Sequence, residues 1–305
     1  MGEKSVMTDT VEIVDVAPRD GLQSQPRVLD TAVKVELIRR LAQAGLRRIE
    51  VASFVNPQRV PQMADAEALI AQLPAIAGVR YIGLVLNRRG FERAQAAGIA
   101  EINCAVSASD SFSRRNQGMD TQAMMAVIAD VTREAQKAQL PCSVTLSNAF
   151  GCPFEGEVPV AAVAGLVRQL IDMGVKEIAL ADTIGAAGPS DVVQRLGAVM
   201  KISDEVKWRC HFHDTRNMAV ANTWAAWQTG VRSFDASCGG IGGCPFAPAA
   251  TGNVATEDLL YLFQRMQVDT GVDIKQIIAT ARWLEEPLGI AMPGMLTRAG
   301  LFPPD

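Results

Sequence analysis

The chain has 305 residues, 49% of them hydrophobic, and its 29 Lys and Arg against 33 Asp and Glu leave a net charge of −4. That is enough apolar material for a large core, and the acidic balance argues against a nucleic-acid partner, because basic residues gather only in short pairs such as Arg39-Arg40, Arg47-Arg48, Arg88-Arg89 and Arg114-Arg115. No apolar run is long enough to span a membrane, the N-terminal MGEKSVMTDT lacks the apolar segment of a secretory signal, and six dispersed cysteines without a C-x-x-C read as free thiols of a reducing, cytoplasmic environment.

Short β-branched runs alternate with longer amphipathic stretches. The predicted strands are residues 11–17, 47–53, 79–85, 100–106, 142–148, 176–182, 206–212 and 231–237. Helical spacing is predicted between most of them, for example over residues 31–44, 65–73, 121–139, 160–173, 190–200 and 218–228. Several of these stretches end on a glycine just before the next strand (Gly45, Gly98, Gly174, Gly230), the position of a left-handed helix cap. Eight alternating units predict parallel strands with right-handed crossovers, hence an α/β, (β/α)8 TIM barrel. The rival is a doubly wound open sheet. It would carry G-x-G-x-x-G after the first strand, where this chain has Ala17-Pro18-Arg19-Asp20-Gly21. One domain is expected over residues 1–305, with the barrel at about 11–250 and a C-terminal helical extension at about 254–305, its helices at 257–266 and 273–286.

In such a barrel the chemistry sits where strands end. Arg19 and Asp20 follow strand one, Glu50 and Ser53 lie on strand two, Asn148 follows strand five, and Asp182 ends strand six. Strand seven ends in His211-Phe212-His213-Asp214, the chain's two histidines. A period of two puts both imidazoles on one strand face, and neutral imidazoles ligate divalent metals. Asp20 is a further ligand candidate, and equally an Asx-turn residue before Gly21. Arg19 can only stabilise negative charge, or form a salt bridge with a carboxylate such as Glu50. Cys244 follows four glycines within five positions; it reads either as a proton donor or acceptor on a loop that can move, or as a small apolar filler. Asn253 alone reads as a turn residue.

Together these segments carry a resemblance. The chain is similar to the 3-hydroxy-3-methylglutaryl-CoA (HMG-CoA) lyase family of metal-dependent TIM-barrel lyases over about residues 11 to 275. The likeness lies in Val16-Ala17-Pro18-Arg19-Asp20-Gly21-Leu22-Gln23, Ile49-Glu50 through Ser53-Phe54-Val55, Val60-Pro61-Gln62-Met63, Gly151-Cys152-Pro153-Phe154-Glu155-Gly156, Asp182-Thr183-Ile184-Gly185, His211-Phe212-His213-Asp214-Thr215, Gly242-Gly243-Cys244-Pro245 and Gly252-Asn253-Val254-Ala255-Thr256-Glu257-Asp258. The last two are the most specific to this lyase.

The resemblance implies divalent-metal-dependent retro-Claisen cleavage of (S)-HMG-CoA to acetyl-CoA and acetoacetate. It implies a Mg2+ or Mn2+ ion on Asp20, His211, His213 and Asn253. Arg19 would stabilise the enolate oxygen, Cys244 would transfer a proton, and Asp182 and Glu50 would support the site. Gln23 would lie near the substrate, and Arg88 and Arg114, expected in loops after strands three and four with Arg89 and Arg115, would meet the CoA phosphates. An acyl-CoA substrate, no nucleic acid, no membrane and a homodimer or higher homo-oligomer complete the expectation.

The chain also departs from the family. Arg216-Asn217-Met218 stands where Tyr-Gly usually follows the HDT motif, Cys238-Gly239-Gly240-Ile241-Gly242 replaces the usual approach to the glycine loop, and the tail MPGMLTRAGLFPPD differs. These changes touch the pocket rim rather than the ligand set. A related lyase for a different 3-hydroxy-3-substituted acyl-CoA is therefore the alternative reading. A condensing acyltransferase, and a non-catalytic barrel that binds metal or CoA, are the others.

Overall fold

The structure, a computed structural model, describes residues 9–243 and 252–304. Its strands are β1 (Glu12–Asp15), β2 (Arg48–Ser53), β3 (Arg80–Val85), β4 (Glu101–Ser107), β5 (Cys142–Ser147), β6 (Glu177–Asp182), β7 (Lys207–Phe212) and β8 (Ser233–Ala236). Each pairs in parallel with the next, and β8 returns to β1, so the sheet closes as a barrel. All eight predicted strands are present, and the open-sheet rival is excluded.

Eleven helices cover the described residues: α1 (Thr31–Gln43), α2 (Ala66–Ile70), α3 (Arg88–Ala96), α4 (Asp110–Gln117), α5 (Thr121–Lys137), α6 (Val160–Asp172), α7 (Pro189–Val199), α8 (Ala219–Gln228), α9 (Thr256–Arg265), α10 (Ile274–Leu288) and α11 (Met295–Ala299). In α1 the buried Leu37, Ile38 and Leu41 recur at helical spacing and face the sheet. Gly45, Gly98, Gly174 and Gly230 all have positive φ, as their places after helices predicted. The helix predicted at 65–73 is shorter, because Pro74 follows closely and a 3-10 turn at Pro61–Met63 precedes it.

Arg88 and Arg114 were expected in loops, yet both lie on helices. Segments read as loops are α3, capped by the Asn87 side chain, and α4, capped by Ser109. Both are rich in polar residues, which hides their narrow apolar stripe. After β8, α10 packs against α1, joining the end of the chain to its beginning. No described helix is long and apolar enough to cross a membrane, and the five described cysteines are free.

The strands divide their side chains by pleat. On β7, Trp208, Cys210 and Phe212 face the helices, while Lys207, Arg209 and His211 face the barrel axis. Arg209 reaches Asn103 of β4 and Ser143 of β5, each at 3.4 Å, across the interior. That interior is ionic rather than aliphatic. At its floor the buried Arg48 pairs with Glu12 and Glu177, each at 2.8 Å, and with Glu101. Burial at this density costs several kcal/mol per uncompensated ion, so the pairing must be nearly complete.

Candidate active site

Six of the expected residues meet at the rim where strands end. A single wide turn, Ala17–Gly21, follows β1, with the amides of Asp20 and Gly21 both bonded to the carbonyl of Val16. Such π-turns are common at functional sites. Here the turn holds Arg19 and Asp20 at the mouth of the barrel. Arg19 is buried; its Nε donates to Glu50 at 2.8 Å and its Nη1 to Asp20. Although burial disfavours the cation, Glu50 and Asp20 hold it firmly protonated. The salt-bridge reading of Arg19 is therefore correct, and it leaves the guanidinium at the site.

Glu50 and Ser53 act on the same loop although three residues apart. Ser53 donates to the Gln23 side chain at 2.9 Å. The register of β2 against β3 shifts between Glu50 and Ala52, and that bulge supplies the extra residue that turns both side chains to one side.

Asp20, His211 and His213 can each offer one ligand atom within 4.8 Å of the others. The imidazole centroids are 5.2 Å apart and both rings are buried. Burial pushes the Asp20 carboxyl up, but Arg19, His211 and His213 more than reverse this, so it stays well below the usual carboxylate range. His211 is raised: burial lowers it, and Asp235 and Asp20 overcome that.

Asn253 arrives by a route no local pattern shows. Residues 252–254 run antiparallel beside the end of β7, with Asp214 N bonded to Gly252 O and Val254 N to Phe212 O, each at 3.0 Å. The Asn253 amide nitrogen donates to Asp20 at 2.8 Å and to Ile241 O at 3.2 Å. Its buried Oδ1 has no hydrogen-bond partner among the described residues. Gly242 is required beside it: φ is +115°, and a Cβ there would lie 2.5 Å from the Asn253 nitrogen.

One carboxylate, two imidazoles and an amide oxygen left over after hydrogen bonding fit a divalent cation of oxygen and nitrogen preference.

Asp182 ends β6, and its two oxygens accept the amides of Ala186 and Ala187, each at 2.9 Å. Burial raises its carboxyl, partly offset by those amides and by Arg216. The Asp182–Gly185 turn packs on the His strand; at Gly185, φ is +58° and a Cβ would meet His213 O at 2.8 Å. Asn148 follows β5 and is fully buried, accepting from Ser107 at 3.0 Å.

Arg88 and Arg114 do not lie in loops as expected but on α3 and α4. Arg88 is bound to Glu92 at 3.0 Å, Glu134 at 3.2 Å and Asp130 at 3.7 Å; Arg114 is bound to Asp120 at 3.0 Å. Helix capping by Asn87 and Ser109 brings these arginines alongside acidic residues of α3, α5 and the turn before it. Cys244 lies outside the described residues.

Sequence reasoning missed Asp235 and Arg209. An oxygen of Asp235 lies 3.1 Å from Nδ1 of His211, and Arg209 forms an ion pair with Asp235 at 3.3 Å. Burial raises Asp235, but Arg209 and His211 bring it below its ordinary value. The available signal was a charged residue at the centre of a parallel barrel strand, two positions after Ser233 on the same face.

The family model described as HMGL-like matches residues 10–284. An (R)-citramalyl-CoA lyase of Chloroflexus aurantiacus is 43% identical over 302 residues, 96% of this chain and 95% of that protein. A hydroxymethylglutaryl-CoA lyase of Pseudomonas mevalonii is 43% identical over 291 residues, 95% of this chain and 96% of that one. Among solved structures, the Bacillus subtilis HMG-CoA lyase aligns with a TM-score of 0.93 at 39% identity, covering 95% and 98% of the two chains. An HMG-CoA lyase of Acinetobacter baumannii in complex with coenzyme A and 3-methylmalate aligns with a TM-score of 0.94 at 34% identity, covering 98% of each.

Proposed function

We propose a specific reaction on an established premise: the chain belongs to the HMGL-like family and is a carbon–carbon lyase. The proposed substrate is an acyl-CoA with a hydroxyl on the carbon β to the thioester, first of all (S)-HMG-CoA. The proposed products are acetyl-CoA and acetoacetate. The observation that carries this reading is the buried Arg19 held between Glu50 and Asp20, beside His211, His213 and the unpaired oxygen of Asn253.

Asp20, His211, His213 and Asn253 would hold a divalent cation, Mg2+ or Mn2+, which when bound supplies Lewis acidity and a template for the substrate's oxygens. The remaining steps fall to the protein. The bond between the two carbons breaks only if the hydroxyl proton leaves and the thioester accepts the electron pair. Asp182 suits the first task, because a buried carboxyl with a raised pKa holds a proton more readily; each of its oxygens keeps a lone pair beyond its amide bond.

Arg19 suits the second. Its guanidinium cannot be neutralised and would face the enolate oxygen, with Glu50 fixing its direction. Cys244 would return a proton to the carbon of the enolate, which balances the one removed from the hydroxyl. That role is carried by the sequence resemblance alone. Gln23, tied to Ser53, would border the acyl group.

The test is incubation of the purified protein with HMG-CoA and Mn2+ or Mg2+. Acetyl-CoA and acetoacetate should appear in equal amounts; a metal-loaded protein that releases neither overturns the assignment.

A second reading has support of its own. One relative at 43% identity is an (R)-citramalyl-CoA lyase, and Arg216 projects from the rim with its Nη1 held by Ile184 O at 2.9 Å and Gly185 O at 2.8 Å. Citramalyl-CoA carries its carboxylate one methylene closer to the hydroxyl carbon, so an added cation at the rim bears on the choice. Matched kcat/KM values for the two thioesters decide between them.

A further inference from the structure

Asp235 lies on β8 in register with His211 of β7. One of its oxygens is 3.1 Å from Nδ1 of His211, and the other is 3.3 Å from Nε of Arg209. Arg209 stands two residues before His211, so the two side chains share a strand face. Its Nη1 is 3.3 Å from Glu177, and its Nη2 reaches Asn103 and Ser143. The pair is sealed from water: the side chains of Arg209 and Asp235 are 1% and 3% exposed.

The Arg209–Asp235 contact is close but not directed as a hydrogen bond. Arg209 therefore acts on the carboxylate through charge. A carboxylate beside a guanidinium that cannot lose its proton is an acceptor only. The hydrogen in the Asp235–His211 contact must then sit on Nδ1. That leaves the Nε2 lone pair of His211 for the cluster it forms with Asp20 and His213.

We propose that Asp235, anchored by Arg209, is a positioning residue that fixes the Nδ1–H tautomer and ring orientation of His211 and so presents Nε2 to the divalent cation. The inference rests on the cation reading given above. A mere charge partner for Arg209 would not need to meet the histidine, since Glu177 already faces that guanidinium. Orientation of a ligating imidazole by an outer carboxylate strengthens metal binding. Here the carboxylate is itself held by a chain of charges that continues to the barrel floor.

The chain's two histidines make this directly readable. Long-range 1H–15N spectra of the metal-free, 15N-labelled protein contain the signals of two rings only, and His213→Asn identifies which belong to His211. The expected wild-type result is His211 with hydrogen on Nδ1. In Asp235→Asn the amide oxygen turns to Arg209 and the NH2 to the ring, so His211 should carry its hydrogen on Nε2 instead.

Calorimetric titration with Mn2+ should then show binding about 10- to 100-fold weaker than wild type, and Arg209→Lys should fall between. A neutral wild-type His211 ring with its hydrogen on Nε2 rather than Nδ1 overturns the proposal, whether or not any variant folds. So does Asp235→Asn binding Mn2+ within twofold of wild type. A wild-type protein that binds no Mn2+ overturns the cation reading itself, and the tautomer result then still judges the role of Asp235.

Discussion

The two ends of the barrel interior are built from the same kinds of residue and are used in opposite ways. At the floor, Arg48 is enclosed by Glu12, Glu101 and Glu177, and Lys207 adds a second cation against Glu12 and Glu177. Donors there are matched to acceptors within the protein. At the rim, Asp20, His211, His213 and the oxygen of Asn253 bring acceptors together beside Arg19. A set of ions that is complete can only stabilise. A set that gathers acceptors suits the divalent cation proposed above. Arg209 and Asp235 connect the two, with Glu177 on one side and His211 on the other.

Removing the floor's central cation should have the largest effect. Arg48→Met leaves three carboxylates facing one another and should cost about 3–5 kcal/mol, a large part of a stability that is about 5–15 kcal/mol in total. Urea denaturation should show this, while kcat of the folded fraction stays close to wild type. A variant of undiminished stability, or one that is stable but inactive, would erase the distinction between the two ends.

Arg19→Gln is the counterpart at the rim. It should lower kcat about 10²- to 10³-fold, the usual cost of one group that stabilises an oxyanion. Binding of the CoA thioester should weaken far less, because the charge it meets develops only during the reaction. Steady-state kinetics on whichever thioester proves best measures this, and a loss confined to KM would move Arg19 from chemistry to binding.

The pH dependence separates the ends more finely. Burial raises Glu12, but Arg48 and Lys207 outweigh it, and the carboxyl is lowered from 4.5 to about 2. A carboxyl depressed in the folded state adds stability that is fully present above about pH 4.5 and is lost as pH falls toward 2. Glu12→Gln should therefore be less stable than wild type at pH 6, with the gap narrowing through pH 4 to 3. Urea midpoints at those values test it; a gap that is constant with pH would mean that Glu12 acts by shape rather than charge.

Much of this was legible in the sequence because it is local. Strands buried on both faces are continuous runs of β-branched and aromatic residues, and all eight were visible in that form. The same-face His211 and His213 pair follows from a period of two. What could not be read depends on pairing between distant segments. Asn253, which local pattern read as a turn residue and only the resemblance assigned to the site, lies there because residues 252–254 run against the end of β7. Asp235 matters because β8 is in register with β7 at His211. The helices α3 and α4 were missed for a different reason: their side chains are mostly polar, and the caps at Asn87 and Ser109 that start them were not recognised.

The arginines of those helices mark the limit of the comparison, since they lie in neither end of the interior. Arg114 was expected to meet CoA phosphates, yet it is 61% exposed and its guanidinium is engaged by Asp120. An exposed pair of this kind contributes about 0–1 kcal/mol, so Arg114→Ala should barely change the melting temperature. Its functional effect should also be the smallest of the set. A phosphate would have to displace Asp120 from the guanidinium and compete with water at so exposed a position, and KM for the CoA thioester should rise less than about twofold, well below the 1.4 kcal/mol that a tenfold change represents. Comparing that thioester with a pantetheine thioester, which lacks the nucleotide phosphates, makes the reading sharp. A KM that rises severalfold for the first and not the second would show Arg114 leaving Asp120 for the ligand, and would extend the functional rim outward from the barrel mouth to α4.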